Sequence, residues 1–461
     1  MSPPRTFPTR AEFRGLVSLA LPVVAVQLGL MLMGVVDTMM VGRVSAQALA
    51  AVALGNVYFF AMIVIGMGTL MALDPVVAQA VGARDEPAIS RGLQRGLLLA
   101  LVLTVPAMAG MGVIRPLLRL AGQPAEIIDP TSVYGWIIIP SILPFYVFMV
   151  FRQTLQAMSR IAPIVWVTLG ANVLNALLDW VFIFGKLGAP ALGVAGSALA
   201  TTISRWILAA ALLVAGWREL GPRLFPWRAE TREFRPLIRM LGLGVPIGLQ
   251  MFFEYGVFGA VGALMGRIGS LAIASHQVAL SLAAIVFMVP QGVGAAAAVL
   301  VGQAIGARDF ARARRAAAGA LVLGAGFMVG SAGVFIGIPH GLARLYTPDP
   351  AVIALAAILI VLAGYFAVFD GLQAVAIGIL RGIGDTRIPT LLSLFSYWAI
   401  GLPISVVLAF RFGLGPAGLW WGLVAGLLAT AAVLLARVYV RLRGVIARID
   451  LEDRDAAAAA G

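Results

Sequence analysis

The 461-residue chain has no cysteine, one lysine and two histidines, and only 11% of its residues are charged. Without cysteine, disulfide scaffolds, thiolate zinc sites, iron–sulfur clusters and thiol nucleophiles are excluded. His276 and His340 are the only imidazoles, too few for metallo-hydrolase chemistry. A soluble domain carries about 25% charged residues. Here 61% of residues are hydrophobic instead, more apolar surface than one core could hide. Soluble globular and disordered classes both fall.

The little charge present is one-sided, 33 basic against 20 acidic residues for a net +13. A nucleic-acid binder would need a basic face on a folded domain. The basic residues sit in short gaps between long apolar runs, so they read as topology signals and no nucleic-acid partner is expected.

About 20 apolar residues cross the roughly 30 Å hydrocarbon layer. Twelve such runs are legible, near 15–42, 46–74, 93–114, 131–151, 161–184, 192–216, 237–265, 270–300, 316–338, 351–380, 389–410 and 416–438. Backbone groups in lipid must be satisfied within the segment, so an all-α membrane protein of twelve transmembrane helices follows. The N-terminal MSPPRTFPTRAEFRG lacks the pattern of a cleaved signal peptide. With the N-terminus inside, alternate segments hold 25 Lys and Arg against 7 outside, and Arg205 lies within a span. Positive charge collects on the cytoplasmic side, so both termini are expected there. The polar gap 217–239 divides the runs six and six. The expected organisation is an N-terminal six-helix lobe at 1–216, a cytoplasmic linker at 217–236, a C-terminal six-helix lobe at 237–443 and a cytoplasmic tail at 444–461.

QAVGARD at 79–85 returns as QAIGARD at 303–309, an offset of 224 that also joins Pro22 to Pro246 and Gly42-Arg43 to Gly266-Arg267. Three matches in register point to two homologous halves. Because six spans separate them, they are parallel repeats, the arrangement that commonly places substrate between pseudo-symmetric lobes.

An ionisable residue at mid-span costs about 2.5–3.5 kcal/mol on insertion scales. Asp37, Asp179, Glu254 and Asp370 lie well inside spans, whereas Asp74, beside Pro75, reads as an interfacial residue. Counting 1.5 Å per residue from Arg43 and Lys186 puts Asp37 and Asp179 roughly 9 and 10 Å below the outer edge. Asn172, Asn175 and Asp179 follow at i, i+3 and i+7 on one face. These hard oxygen ligands suit Na⁺ or H⁺. Glu254 and Asp370 come out about 22 and 16 Å above the inner edge, close enough to meet if spans seven and ten are neighbours. Two carboxylates in one low-dielectric pocket do not both ionise cheaply, so such a pair can trade a proton for a cationic ligand. Na⁺ could sit at Asp37 and Asp179 or at Glu254 and Asp370. His276-Gln277 could join a polar network, Arg205 reads as structural, and Trp136, Trp398, Trp420 and Trp421 read mostly as interface-belt residues. No Walker A pattern occurs, so direct ATP drive is unsupported.

Taken together, LPVVAVQLGLMLMGVVDTMMVGR (21–43), QAVGARD (79–85), NALLDWVFIFG (175–185), GVAGSALAT (193–201), VPIGLQMFFEY (245–255), the 274–309 segment ending in QAIGARD, and VFDGLQAVAIGILRGIGDTRIP (368–389) resemble the multidrug and toxic compound extrusion (MATE) family in its NorM-like branch. The resemblance spans nearly the whole chain. It implies a twelve-helix exporter in the bacterial cytoplasmic (inner) membrane that exchanges H⁺ or Na⁺ for cationic amphipathic compounds, with no cofactor beyond the transported ion. Such a protein is no enzyme, and a monomer embedded in membrane lipid is expected. The family's N-lobe cation residues map onto Asp37, Asn175 and Asp179, with Thr201 or Thr202 as an addition. Its C-lobe acids map onto Glu254 and Asp370, a pair on which archaeal and DinF-like members do not depend. A lipid-linked glycan flippase of related architecture is the alternative. Its anionic cargo calls for a cation-lined cavity, while the spans hold four acids and Arg205 alone. A membrane-embedded enzyme finds neither an aspartate-rich metal motif nor an activated nucleophile.

Overall fold

The computed structural model describes residues 7–444 and 446–452. Residues 1–6 and most of the expected tail, including DAAAAAG, lie outside the described residues. The chain folds into twelve long apolar helices: α1 Arg10–Gly42, α2 Ala46–Gly82, α3 Glu86–Gly112, α4 Ala125–Ala157, α5 Ala162–Phe184, α6 Val194–Ala215, α7 Phe234–Ile268, α8 Ser270–Gly306, α9 Phe310–Gly337, α10 Pro350–Ile383, α11 Arg387–Arg411 and α12 Gly415–Arg443. No strand occurs among the described residues. The twelve expected runs are these twelve helices, several of them longer than the apolar stretch that revealed them. Large side chains such as Val57, Trp166, Val329 and Val440 stay exposed, as they must where lipid is the solvent.

The repeat is visible in the helix starts. α1 and α7 begin at 10 and 234, α2 and α8 at 46 and 270, α3 and α9 at 86 and 310, each pair 224 apart. Both copies of the heptapeptide end one helix and start the next. Arg84 and Arg308 sit at φ 55° and 59°, and Asp85 and Asp309 accept from the amide three residues on at 3.0 and 2.8 Å, a side-chain N-cap in each half.

By contact the chain divides into two compact units, Ala25–Gly248 with Asp450–Gly461 and Met1–Val24 with Leu249–Ile449. The two crossing points, after Val24 and after Gly248, are 224 residues apart, each two residues past the proline inside α1 or α7. The first part of α1 and of α7 thus groups with the other half. A short helix at Trp217–Leu224 and a 3₁₀ turn at Ala229–Arg232 occupy the inter-lobe gap.

The N-terminal unit has a core that includes Leu70, Leu73, Leu93, Tyr146 and Phe148. Its α2 breaks at Met71–Ala72 and its α4 tightens to 3₁₀ at Ile139–Ser141, around Pro140. In the C-terminal unit α8 runs unbroken and the core centres on Leu359, Phe366, Tyr397 and Trp420. There α8 and α10 cross so closely that a methyl group on Gly378 would strike the Gly294 backbone. Small residues allow such approaches between membrane helices. The C-terminal unit's α11 carries π-helical turns at Ser396–Gly401 and Val407–Arg411.

Candidate functional site

Among the described residues each unit holds one cluster of acids within its helices, buried except for the half-buried Glu254. In the N-terminal unit Asp37 (α1), Asn175 and Asp179 (α5) and Thr201 (α6) are at most 5% exposed. The α5 spacing aims Asn175 and Asp179 along one face, and Asn175 Nδ2 donates to Asp179 Oδ2 at 3.0 Å. Thr201 Oγ1 donates to Asp37 Oδ2 at 3.3 Å. The two carboxylates come within hydrogen-bonding reach of each other. One oxygen each of Asp37, Asn175 and Asp179 is buried without a hydrogen-bond partner. An orphaned buried acceptor is costly, so three of them turned into one cluster are an acceptor set for a cation or a proton.

The other N-terminal candidates divide. Asn172 lies on the same helix but turns Nδ2 back to the Thr168 carbonyl at 2.9 Å, leaving its Oδ1 buried and unpartnered. Thr202 bonds the carbonyls of Ala198 and Ile137 at 2.8 and 3.0 Å, away from the acids. Arg205 is near enough for its charge to act on Asp37, but it forms no ion pair with it. Its guanidinium covers the Phe59 ring at 4.2 Å and donates to Ser141 Oγ at 2.8 Å. Among the described residues no ion pair reaches Asp37 or Asp179.

In the C-terminal unit Glu254 (α7) and the buried Asp370 (α10) belong to one cluster, joined through Gln373 on the helix of Asp370. Two residues not foreseen complete the cluster. Gln373, one helical turn after Asp370, donates Nε2 to Glu254 Oε1 at 3.2 Å. Tyr397 OH lies 2.6 Å from Gln373 Oε1 and 3.3 Å from Glu254 Oε1, where it can donate to either. Gln373 was legible as an i+3 neighbour of an intramembrane acid, whereas nothing but its place in the eleventh run marked Tyr397. Next to them Trp398 donates Nε1 to the Phe253 carbonyl at 3.1 Å and stands edge-on to the Phe253 ring. Aromatic faces beside carboxylates suit an organic cation. Again no ion pair reaches either acid among the described residues.

Three expectations need correction. Asp74 is not interfacial but fully buried, accepting from Gln153 Nε2 at 3.4 Å. Arg152, counted as a loop charge, is buried in α4 and donates to Gln27 Oε1 at 2.6 Å. Trp420 is no belt residue. It is wholly buried and donates Nε1 to His276 Nδ1 at 3.2 Å, which ties His276 into the core; Gln277 is exposed on α8.

Known proteins carry the same pattern. The MatE family model matches residues 22–181 and 246–407, two blocks whose starts are again offset by 224. The "Probable multidrug resistance protein NorM" of Rhizobium meliloti (strain 1021) is 38% identical over 445 residues, covering 95% of both chains. The "Multidrug resistance protein NorM" of Burkholderia vietnamiensis is 38% identical over 93% of this chain and 94% of its own. The "Multidrug resistance protein PmpM" of Pseudomonas aeruginosa is 35% identical over 98% and 97%. The crystal structure of the eukaryotic MATE transporter AtDTX14 shares the fold at a TM-score of 0.86 and 23% identity, over 94% of this chain and 98% of that one. The outward-facing conformation of a multidrug resistance MATE family transporter of the MOP superfamily does so at 0.84 and 19%, over 94% and 96%.

Proposed function

The chain belongs to the MATE family of transporters, and on that premise we propose that it is a secondary active multidrug exporter, a multi-pass protein of the bacterial cytoplasmic membrane with both termini inside, exchanging H⁺ or Na⁺ for cationic amphipathic compounds by alternating access. The observation that carries this reading is the pair of acid clusters, buried except for the half-buried Glu254 and neither ion-paired with a cationic side chain among the described residues. A carboxylate without a fixed partner is free to take a small cation, a proton or a large organic cation in turn.

In the outward-open state the acids take up the coupling ion, driven by a membrane potential worth about 2.3 kcal/mol per charge per 100 mV. Neutralisation weakens their hold on the drug, which leaves. After the return to the inward-open state the ion dissociates and the restored carboxylates attract the next drug. The ion drives this cycle only through unequal affinity for the two states. An anionic cargo finds no matching cation-lined cavity, since Arg205 is committed to Phe59 and Ser141 and Arg152 to Gln27.

The test is ethidium efflux from proteoliposomes with Na⁺ and pH gradients imposed separately. Asp37→Asn and Glu254→Gln are each expected to abolish efflux while leaving the protein folded. Wild-type efflux by both variants overturns the reading.

A further inference from the structure

The repeat offset pairs the inner ends of α3 and α9 residue by residue, and the two are finished differently. In the N-terminal unit Arg91 and Arg95 of α3 hold the Glu452 carboxylate, Arg95 Nη1 at 3.1 Å. Arg95 Nη2 also donates to the Glu230 carbonyl at 2.9 Å. Gln94 Nε2 donates to the Arg223 carbonyl at 3.0 Å, and its Oε1 accepts from Thr231 Oγ1 at 2.7 Å. The chain's own linker and C-terminal segment thus cover this helix end with a carboxylate on arginines.

At the same offset in α9, Arg315 stands for Arg91, Ala318 for Gln94 and Gly319 for Arg95. Arg315 is paired with Glu12 at 2.9 Å, and Pro8, 3.1 Å from where a Cβ on Gly319 would lie, takes only part of the room that the long side chains of Gln94 and Arg95 fill in α3. What remains is a cavity of about 350 Å³, within the roughly 300–1,000 Å³ range of ligand pockets. Its walls are Phe13, Leu16, Leu300 and Gly319, and its charged members are Arg315 and Arg312 with Glu12. The Arg312 guanidinium is exposed and has no partner among the described residues. Arg308 and Arg314 lie within four residues of it in the sequence against Asp309 alone, so this stretch is net positive. The cavity lies where α1 and α9 begin, at the end of two spans, and so at the membrane surface.

We propose that this cavity binds an anionic phospholipid, its phosphate on Arg312 and Arg315 and the start of its acyl chains over Leu16, Leu300 and Gly319. Glu12 gives Arg315 the carboxylate that Glu452 gives Arg91, and the lipid headgroup supplies the negative charge that Arg312 lacks. An apolar floor beneath an arginine mouth suits an amphiphile and not a free inorganic anion.

The experiment is native mass spectrometry of the full-length protein released from nanodiscs containing dioleoylphosphatidylglycerol in phosphatidylethanolamine. Retention is measured against Arg312→Gln, Gly319→Arg and, as a control, Arg411→Gln, an exposed arginine at the end of α11. One basic residue near an anionic headgroup is worth about five-fold in affinity, so Arg312→Gln should weaken phosphatidylglycerol retention about five-fold and leave phosphatidylethanolamine unchanged. Gly319→Arg, which restores the arginine present in α3, should displace the lipid. Equal retention by Arg312→Gln and Arg411→Gln overturns the proposal. So does competition by millimolar inorganic phosphate, which would mark a free-anion site, or higher retention after deletion of residues 1–6, which would mark the chain's own N-terminus as the occupant. The readout is lipid retention, so it stands or falls independently of transport.

Discussion

The two units share a scaffold and differ in almost every polar side chain that matters. At the 224-residue offset Asp37 faces Val261, Asn175 faces Ala399, Asp179 faces Pro403 and Thr201 faces Ala425. In the other direction Glu254 answers to Leu30, Asp370 to Tyr146, Gln373 to Met149 and Tyr397 to Val173. Helix starts, the φ-positive arginine and the aspartate cap were kept by both halves. What was duplicated is therefore the packing solution. The site side chains are not shared, lying on α1, α5 and α6 in one unit and on α7, α10 and α11 in the other. Each unit has one cluster, built from different helices and with different chemistry: two carboxylates and an amide in one, two carboxylates and a phenol–amide relay in the other.

The sharpest way to break that comparison is to remove one cluster at a time. If the two act in series, Asp37→Asn and Glu254→Gln should each lower ethidium efflux below about one hundredth of wild type, some 2.7 kcal/mol, and the double variant should be no worse than either. If they act in parallel, each single variant keeps about half the wild-type rate. Initial rates in proteoliposomes with matched protein content decide between these outcomes.

A second contrast concerns packing and not charge. Gly378 has the Gly294 backbone in the place of its missing methyl, whereas Gly326 and Gly330 have open space there. Overpacking a close contact costs about 1–3 kcal/mol. For a chain of this size each kcal/mol is worth about 2–4 °C or less. Gly378→Ala should thus lower the melting temperature of the detergent-solubilised protein by a few degrees. Gly326→Ala should leave it unchanged or raise it, since alanine is the better helix former.

Within the C-terminal cluster Tyr397→Phe removes the hydroxyl between Gln373 and Glu254 and leaves a buried amide oxygen short of a donor. A buried group left unpaired costs about 1–3 kcal/mol. The concentration of coupling ion that gives half-maximal efflux should move about five-fold or more, with the maximal rate less affected. An unchanged half-maximal concentration would reduce Tyr397 to a packing residue.

Much of this architecture is written in the sequence because lipid enforces it. Any run long and apolar enough must be a helix, and QAVGARD encodes a helix end, a left-handed turn and a cap in seven letters. Asp37 with Asp179, and Glu254 with Asp370, were legible because charge at that depth is too costly to be incidental. Asp74 and Arg152 were misread for a related reason. Both lie near span ends, where sequence alone does not separate a residue facing lipid headgroups from one turned into the bundle. Tyr397 and Trp420 show the same limit for aromatics: one inside a span and one near its end, both indistinguishable by composition from lipid-facing or belt residues, and both buried. The crossing of α1 and α7 between the units was also beyond reach, since nothing local in Pro22 or Pro246 says which partners the first half of the helix will find.

The finest contrast lies between two adjacent threonines. Thr201 and Thr202 read alike in the sequence, yet only Thr201 reaches the Asp37 carboxylate, while Thr202 spends its proton on the Ala198 or Ile137 carbonyl. Replacing either by valine keeps the shape and deletes the hydroxyl. Thr201→Val removes one donor from a carboxylate whose other oxygen already has none. A hydrogen bond to a neutral donor is worth about 0.5–1.5 kcal/mol, so affinity for the coupling ion should change about two- to ten-fold. The direction is informative. If the ion is a proton, Asp37 without its donor holds the proton more tightly and the pH of half-maximal efflux rises. If the ion is Na⁺ and the hydroxyl oxygen is a ligand, Na⁺ affinity falls. Thr202→Val should leave both dependences where they are, because its partners are backbone carbonyls that remain bonded within their own helices. Equal shifts from the two variants would mean that α6 supports this site only through its packing.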